Sequence, residues 1–362
     1  MKTVTPYTDQ PPHAFWRKAV SDVPATKVDP VVHFDQKINR TDKIVTAGSC
    51  FAQHMARRLQ ARQFCHLVTE PPPCALTPRV AKAYNYGVFS ARYGNVYTSR
   101  QLLQLFDRAY GEFQPAEDVW VGEAGEFIDP FRPAIQSNGF ATRAEYDADR
   151  KKHLAAVRRA FEELDVFVFT LGLTECWTSR LDGAAFPLCP GVAGGRFDSG
   201  LHHLVNLTVT DVVQDMCAFF DRLSRVNARM RAVLTVSPVP LVATATDRHV
   251  LVANTYSKSV LRVAADEIAA RVPVVQYFPS FEIITGSFNR GAYYEDDRRE
   301  VASTGVDHVM RLFFEHAAVD DRAPSDSPKA APAMSTRDAV QRRLEEAMDI
   351  VCDEVALERA AG

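Results

Sequence analysis

The stretch Lys43-Ile44-Val45-Thr46-Ala47-Gly48-Ser49-Cys50-Phe51-Ala52, continued by Gln53-His54-Met55-Ala56-Arg57-Arg58-Leu59, decides how this chain is read. Its first half is apolar and β-rich. Its second half carries Met55, Ala56 and Leu59 at helical spacing. Gly48 falls between the two, where a positive φ or a close backbone approach costs least. The stretch predicts a strand, a tight turn and an amphipathic helix, with Ser49 and Cys50 at the junction. Backbone N–H groups at a helix start favour negative charge. A cysteine there has a lowered thiol pKa, and a serine there lies beside an oxyanion site. The same residues also suit a purely structural turn with a buried Cys and a capping Ser.

Working outward, the pattern from Arg143 onward is α/β. Helices expected at 144–164, 212–227 and 254–270 each precede an apolar run, at 166–171, 232–236 and 274–278. Continuous apolar strands alternating with helices imply a parallel sheet covered on both faces. The expected fold is a three-layer α/β/α doubly wound sheet of about five strands, with residues 64–68 supplying one of them. Sites in such sheets lie at the carboxyl ends of the strands. Residues 1–40 read as a polar, Pro-rich arm anchored by Phe15, Trp16 and Phe34, and residues 41–316 as the α/β domain. Within it, 74–142 is the least regular part, holding a helix at 99–110, and reads as a surface insertion suited to capping a pocket. Residues 317–336 read as a flexible linker. Residues 337–362 place Val340, Leu344, Ala347, Val351 and Val355 on one helical stripe. Such a tail helix packs back on the domain, holds a partner, or pairs with its counterpart; a homo-oligomer through it is the favoured expectation.

Composition narrows the function classes. The chain has 362 residues, a formal net charge of -3 and 46% hydrophobic residues, an ordinary globular balance that gives no reason to expect nucleic acid or a membrane surface as partner. The N-terminal residues lack the apolar core of a signal peptide, and no apolar run is long enough to span a bilayer. Seven Cys without metal-ligand spacing, and odd in number, argue against a complete disulfide framework. A reducing cytoplasm fits best. With no Walker loop, dinucleotide Gly pattern or clustered metal ligands, no cofactor and no metal are expected.

The run Gly48-Ser49-Cys50-Phe51-Ala52 resembles the signature that names the GSCFA domain family, a branch of the SGNH (GDSL-like) hydrolases. Other stretches similar to that family are Tyr93-Gly94-Asn95-Val96-Tyr97-Thr98, Thr170-Leu171-Gly172-Leu173-Thr174-Glu175, Thr235-Val236-Ser237-Pro238-Val239-Pro240 and Tyr277-Phe278-Pro279-Ser280. The likeness runs from about Phe15 to Phe314. It implies an SGNH-like fold and a site built from a nucleophile after the first strand, oxyanion donors, and a late acid–base pair.

Against the parent Gly-Asp-Ser pattern, the register puts Cys50 in the nucleophile slot, with Ser49 one residue earlier as the alternative. Gly94, with Asn95 beside it, matches the glycine that helps bind the oxyanion. Gly172-Leu173-Thr174-Glu175 stands where the parent has Gly-x-Asn-Asp, so Thr174 offers a hydroxyl where an amide would donate, and Glu175 orients the loop. The last parent block, Asp-x-x-His, aligns with Asp297-Arg298-Arg299-Glu300, Gly305 following at the family's spacing. The histidine slot thus holds Glu300. Either Glu300 is the base or His308, at the start of the final helix, substitutes for it; His54, His202 and His203 are weaker candidates. Arg132 and Lys258 resemble family residues suited to an anionic substrate. The resemblance implies an esterase or acyltransferase acting on an acylated carbohydrate or similar small ester. The missing histidine keeps open a second reading, an inactive SGNH-fold binding or scaffold protein.

Overall fold

The computed structural model describes residues 5–136, 138–319, 353–354 and 356–357. In chain order it contains β1 (Ile44–Gly48), α1 (Cys50–Ala61), α2 (Pro78–Ala83), α3 (Ser99–Tyr110), β2 (Trp120–Val121), β3 (Phe127–Ile128), α4 (Arg143–Glu163) and β4 (Val166–Leu171). Then come β5 (Glu175–Ser179), β6 (Ala185–Phe186), β7 (His202–Asn206), α5 (Val209–Val226), β8 (Arg231–Val236), α6 (Val250–Arg271), β9 (Val275–Tyr277), α7 (Ser280–Thr285) and α8 (Ser303–Ala317). The main sheet is parallel throughout, in the order β1-β4-β8-β9.

Strand alternation assigns the two faces. Ile44, Val166, Val168 and Val233 face one side, where Phe51, Met55 and Leu59 of α1 meet Ile283, Ile284, Val309 and Phe313 of α7 and α8. Val45, Ala47, Phe167, Phe169, Leu171, Leu234 and Val236 face the other, against Val157, Phe161, Phe219 and Leu261 of α4, α5 and α6. Both faces are covered, which makes the fold the three-layer α/β/α sandwich expected of uninterrupted apolar strands. Helix starts follow from capping chemistry. Thr98 and Thr208 each form a reciprocal capping box, with Gln101 and Asp211, and Gly111 closes α3 in the left-handed conformation.

Among the described residues the main sheet has four strands where about five were expected. Residues 64–68 make only a single parallel bridge, Ile44 to His66, at the edge of β1. The segment's other backbone donors are drawn elsewhere: Cys65 N–H bonds the Arg40 carbonyl, and Thr69 N–H beyond it bonds the Ser90 carbonyl. The 74–142 segment is more than surface decoration. Phe89, Ala91, Tyr93, Val96, Leu102, Leu105 and Phe106 belong to the core beside the sheet. In the N-terminal arm, Phe34 and Ile38 are buried and Ile38 bridges Ala318, whereas Trp16 is 66% exposed. The expected linker from 320 and most of the expected tail helix lie outside the described residues. No helix among the described residues is long and apolar enough to cross a membrane.

Candidate active site

Three segments converge at the carboxyl ends of β1 and β4, and two glycines let them do so. Gly48 has φ +141°, and a Cβ there would sit 2.6 Å from the Thr170 carbonyl oxygen of the paired strand. A Cβ on Gly172 would meet the Tyr97 carbonyl at 2.9 Å and the Ser49 Cβ at 3.3 Å. The Gly48 carbonyl accepts from Val96 N–H, and the N–H groups of Gly172 and Leu173 both donate to the Tyr97 carbonyl. The turn at 48–50, the loop at 94–97 and the loop at 171–174 are thereby locked to one another.

Ser49 and Cys50 stand side by side, but in different surroundings. Ser49 is the residue before α1 and makes no side-chain cap; its hydroxyl donates to Ser237 Oγ at 3.2 Å, at the end of β8. Cys50 is the first residue of α1 and is buried. Its electrostatic neighbour is Lys258 of α6, whose Nζ donates to the Gly172 carbonyl at 2.7 Å. Burial pushes the Lys258 ammonium down to about 8; negative charge at Glu354 and at Cys50 pulls it up, and Arg299 presses it further down. Next to it, Ser257 accepts from Thr174 N–H at 3.1 Å, so α6 grips the 172–174 loop at two points.

The other expected residues are placed as follows. Gly94 takes φ +72° and turns the chain so that Asn95 enters the site. Gln53 Nε2 donates to Asn95 Oδ1 at 3.0 Å, which aims the Asn95 amide N–H groups away from α1; Asn95 Nδ2 donates to Asp353 at 2.9 Å. Thr174 is fully buried and gives its hydroxyl proton to Asn206 Oδ1 at 2.6 Å, so that proton serves β5–β7 pairing and not an oxyanion. Glu175 holds the 244–245 loop, accepting from the Thr244 hydroxyl at 2.5 Å and Ala245 N–H at 3.3 Å.

The carboxylates of the late block lie at the surface. Asp297 and Glu300 are both exposed, and Asp297 Oδ1 accepts the N–H groups of Arg299 and Glu300, a local turn. His308 is buried on α8; its Nδ1 lies 2.8 Å from the Tyr293 hydroxyl and its ring packs on Phe288, contacts that are not with the β1–α1 turn. Burial and Arg311 lower its pKa. Arg132 is buried with its guanidinium committed to Asp129 and Asp149, each at 2.8 Å, so its charge is not offered to a substrate. His54 is likewise pushed down, to about 4, by burial and by Arg57 and Arg58. His202 pairs with Glu117 and His203 with Thr178. Among the described residues no group of three His, Cys, Asp or Glu is placed to hold a metal.

The residue of the late block that does reach the site is Arg299. Its Nε donates to the Pro240 carbonyl at 3.2 Å and its Nη2 to Glu354 at 3.1 Å. Sequence reasoning passed over Arg299 as filler between Asp297 and Glu300. It also passed over Asp353 and Glu354, whose side chains are buried against Asn95 and Arg299. Only the charged character of Asp297-Arg298-Arg299-Glu300 hinted at the first, and nothing in the tail pattern marked the second.

The molecule is thus a parallel-sheet α/β/α protein whose strand-end turn carries a buried thiol beside a buried ammonium. The chain belongs to the GSCFA family, whose model matches residues 43–313. The match begins at the deciding stretch and ends within α8, so it contains every strand-end residue named above and excludes Asp353 and Glu354. No curated protein matches the chain.

Proposed function

We propose that the protein is an esterase or acyltransferase of SGNH type with Cys50 as its nucleophile. The observation that supports this most is the Lys258 ammonium, dry and held at the end of β4, within electrostatic reach of Cys50. Among the described residues the Ser49 hydroxyl has Ser237 Oγ as its hydrogen-bond partner, and a neutral hydroxyl is no base. A thiolate at Cys50 is favoured by Lys258 and by the start of α1. It attacks the ester carbonyl carbon, and the carbonyl electrons move to oxygen, which meets the backbone N–H groups at the start of α1. The tetrahedral intermediate collapses with cleavage of the C–O bond, and Lys258 gives its proton to the departing alkoxide. The amine so formed removes a proton from water or an acceptor alcohol, which attacks the thioester and returns the Cys50 thiolate. An ammonium with a pKa about 8 suits both directions of transfer near neutral pH. The acylated-carbohydrate substrate class rests on the family resemblance alone, and a reduced thiol suits the cytoplasm expected from the sequence.

The test is single-turnover acylation with p-nitrophenyl acetate, followed by peptide mapping. Acetyl should appear on Cys50, vanish in Cys50→Ala, persist in Ser49→Ala, and form about 10²–10⁴-fold more slowly in Lys258→Met. Acetyl on Ser49, or none on either residue while the fold is intact, overturns the reading. The second outcome favours a binding protein, a reading to which the carboxylates seated on Asn95 and Arg299 lend support.

A further inference from the structure

The groups that receive Asp353 and Glu354 are built into the domain body. Asn95 presents two donors to Asp353, its Nδ2 at 2.9 Å and its backbone N–H, with the amide aimed by Gln53. Arg299 presents its guanidinium to Glu354 at 3.1 Å while its Nε is tied to the Pro240 carbonyl. Positive charge at Lys258 lies behind both, close enough to be raised by Glu354. Asn95, Lys258 and Arg299 all fall inside the family match, and the two carboxylates fall outside it. The receptor therefore belongs to the shared domain, and its occupant does not.

We propose that Asn95 and Arg299 form an anion subsite beside Cys50 that takes a carboxylate-bearing ligand, and that the chain's own Asp353 and Glu354 hold it as internal competitors. This rests on the acyl-transfer reading, for which it names the substrate class: an ester or acyl acceptor carrying a carboxylate near the reacting carbon. The chemistry favours carboxylate. A planar guanidinium and an amide edge match a planar two-oxygen anion, and carboxylates are what they hold in this structure. The occupant is also held imperfectly. Burial raises the Asp353 carboxyl above its ordinary range, and the Asn95 donors offset only part of that. The space beside Asp353, between Phe89, Phe131, Ile135 and Pro187, is only about 10 Å³, the size of one water, so a ligand gains room as the two carboxylates leave.

The experiment uses the full chain and reads the alkylation rate of Cys50 by iodoacetamide, with thermal melting as the check on fold. In Asp353→Ala/Glu354→Ala the rate should rise about tenfold or more, because reaction no longer waits for local opening. Millimolar glutarate should slow that variant again, while glutaramide does not. Adding Arg299→Gln should abolish the glutarate effect. Inorganic phosphate protecting as well as glutarate would overturn the carboxylate assignment. An unchanged rate in the double variant would overturn the occupancy by Asp353 and Glu354, and absence of glutarate protection would overturn the subsite. These readouts need no turnover. Protection by glutarate together with failure of any ester to acylate Cys50 would sink the acyl-transfer reading and leave the subsite standing.

Discussion

The buried charges around Arg132 and those around Lys258 are balanced in different ways. The first links the 74–142 segment to α4. Arg92 meets Glu70 at 3.6 Å and Asp149 at 3.0 Å, Arg132 meets Asp129 and Asp149 at 2.8 Å each, and His153 meets Glu70 at 2.9 Å. Every partner there comes from residues 70–153, within the domain. The second group is the strand-end site, where Lys258 and Arg299 face the carboxylate of Glu354 and Asn95 holds that of Asp353, both residues well past α8. A buried charge removed from its partner is costly wherever it sits. In the first group the partners are part of the framework, so the cost is a folding cost. In the second the partners come from outside the family match, so on the proposal above the same physics becomes available for binding.

The comparison is broken most directly by removing one cation from each group. Arg132→Met leaves the buried Asp129 without its ion-pair partner and Asp149 with Arg92 alone, and should cost about 3–5 kcal/mol, lowering the melting temperature by about 10 °C. Lys258→Met, by contrast, should shift melting by only a few degrees, or about 1 kcal/mol, while slowing Cys50 acylation about 10²–10⁴-fold. Equal losses of melting temperature in the two variants would erase the distinction between framework and exchangeable charge.

Acid should reach the framework group first. Burial by itself raises the Glu70 carboxyl, but the His153 hydrogen bond and charge, Arg132 and the Arg92 N–H outweigh it and bring the pKa down from 4.5 to about 2. A carboxylate depressed on folding contributes its full stability above pH 4.5 and loses it as pH falls toward 2. Burial and Arg132 depress His153, so its neutral form adds stability that is lost as pH falls below its ordinary 6.5. Urea unfolding across this range should show stability falling with acid, and Glu70→Gln should flatten the fall between pH 4.5 and 2. The smallest effect is expected from His308→Gln: Cys50 acylation within about twofold of the parent, since the ring nitrogen of His308 meets the Tyr293 hydroxyl and its face meets Phe288, away from the β1–α1 turn. A large drop would return His308 to the chemistry.

How much of this was legible follows from which forces wrote it. The strand–turn–helix at 44–61 was legible because apolar period and glycine placement carry it locally. So was α3, whose expected span of 99–110 agrees with Ser99–Tyr110. The fifth strand was not, since its fate depends on where Cys65 and Thr69 find acceptors in distant loops. In the site, the family-like motifs pointed to Gly94, Asn95, Gly172 and Lys258. The sequence could not show that the Thr174 proton goes to Asn206, or that Arg132 faces Asp129 and Asp149. Those pairings span the insertion and the β5–β7 hairpin, and spacing along a chain carries no record of them.

The order in which the chain is synthesised gives the strand-end turn a further property. Translation delivers Cys50 with the first strand and Lys258 with the sixth helix, whereas Asp353 and Glu354 emerge after every element of the sheet. A nascent chain can therefore assemble the thiol and its ammonium partner while the residues that cover them are still unmade. On the acyl-transfer reading, the newborn protein carries a Cys50 not yet covered by those carboxylates during that interval, and its length depends on how fast translation passes from α8 to Glu354.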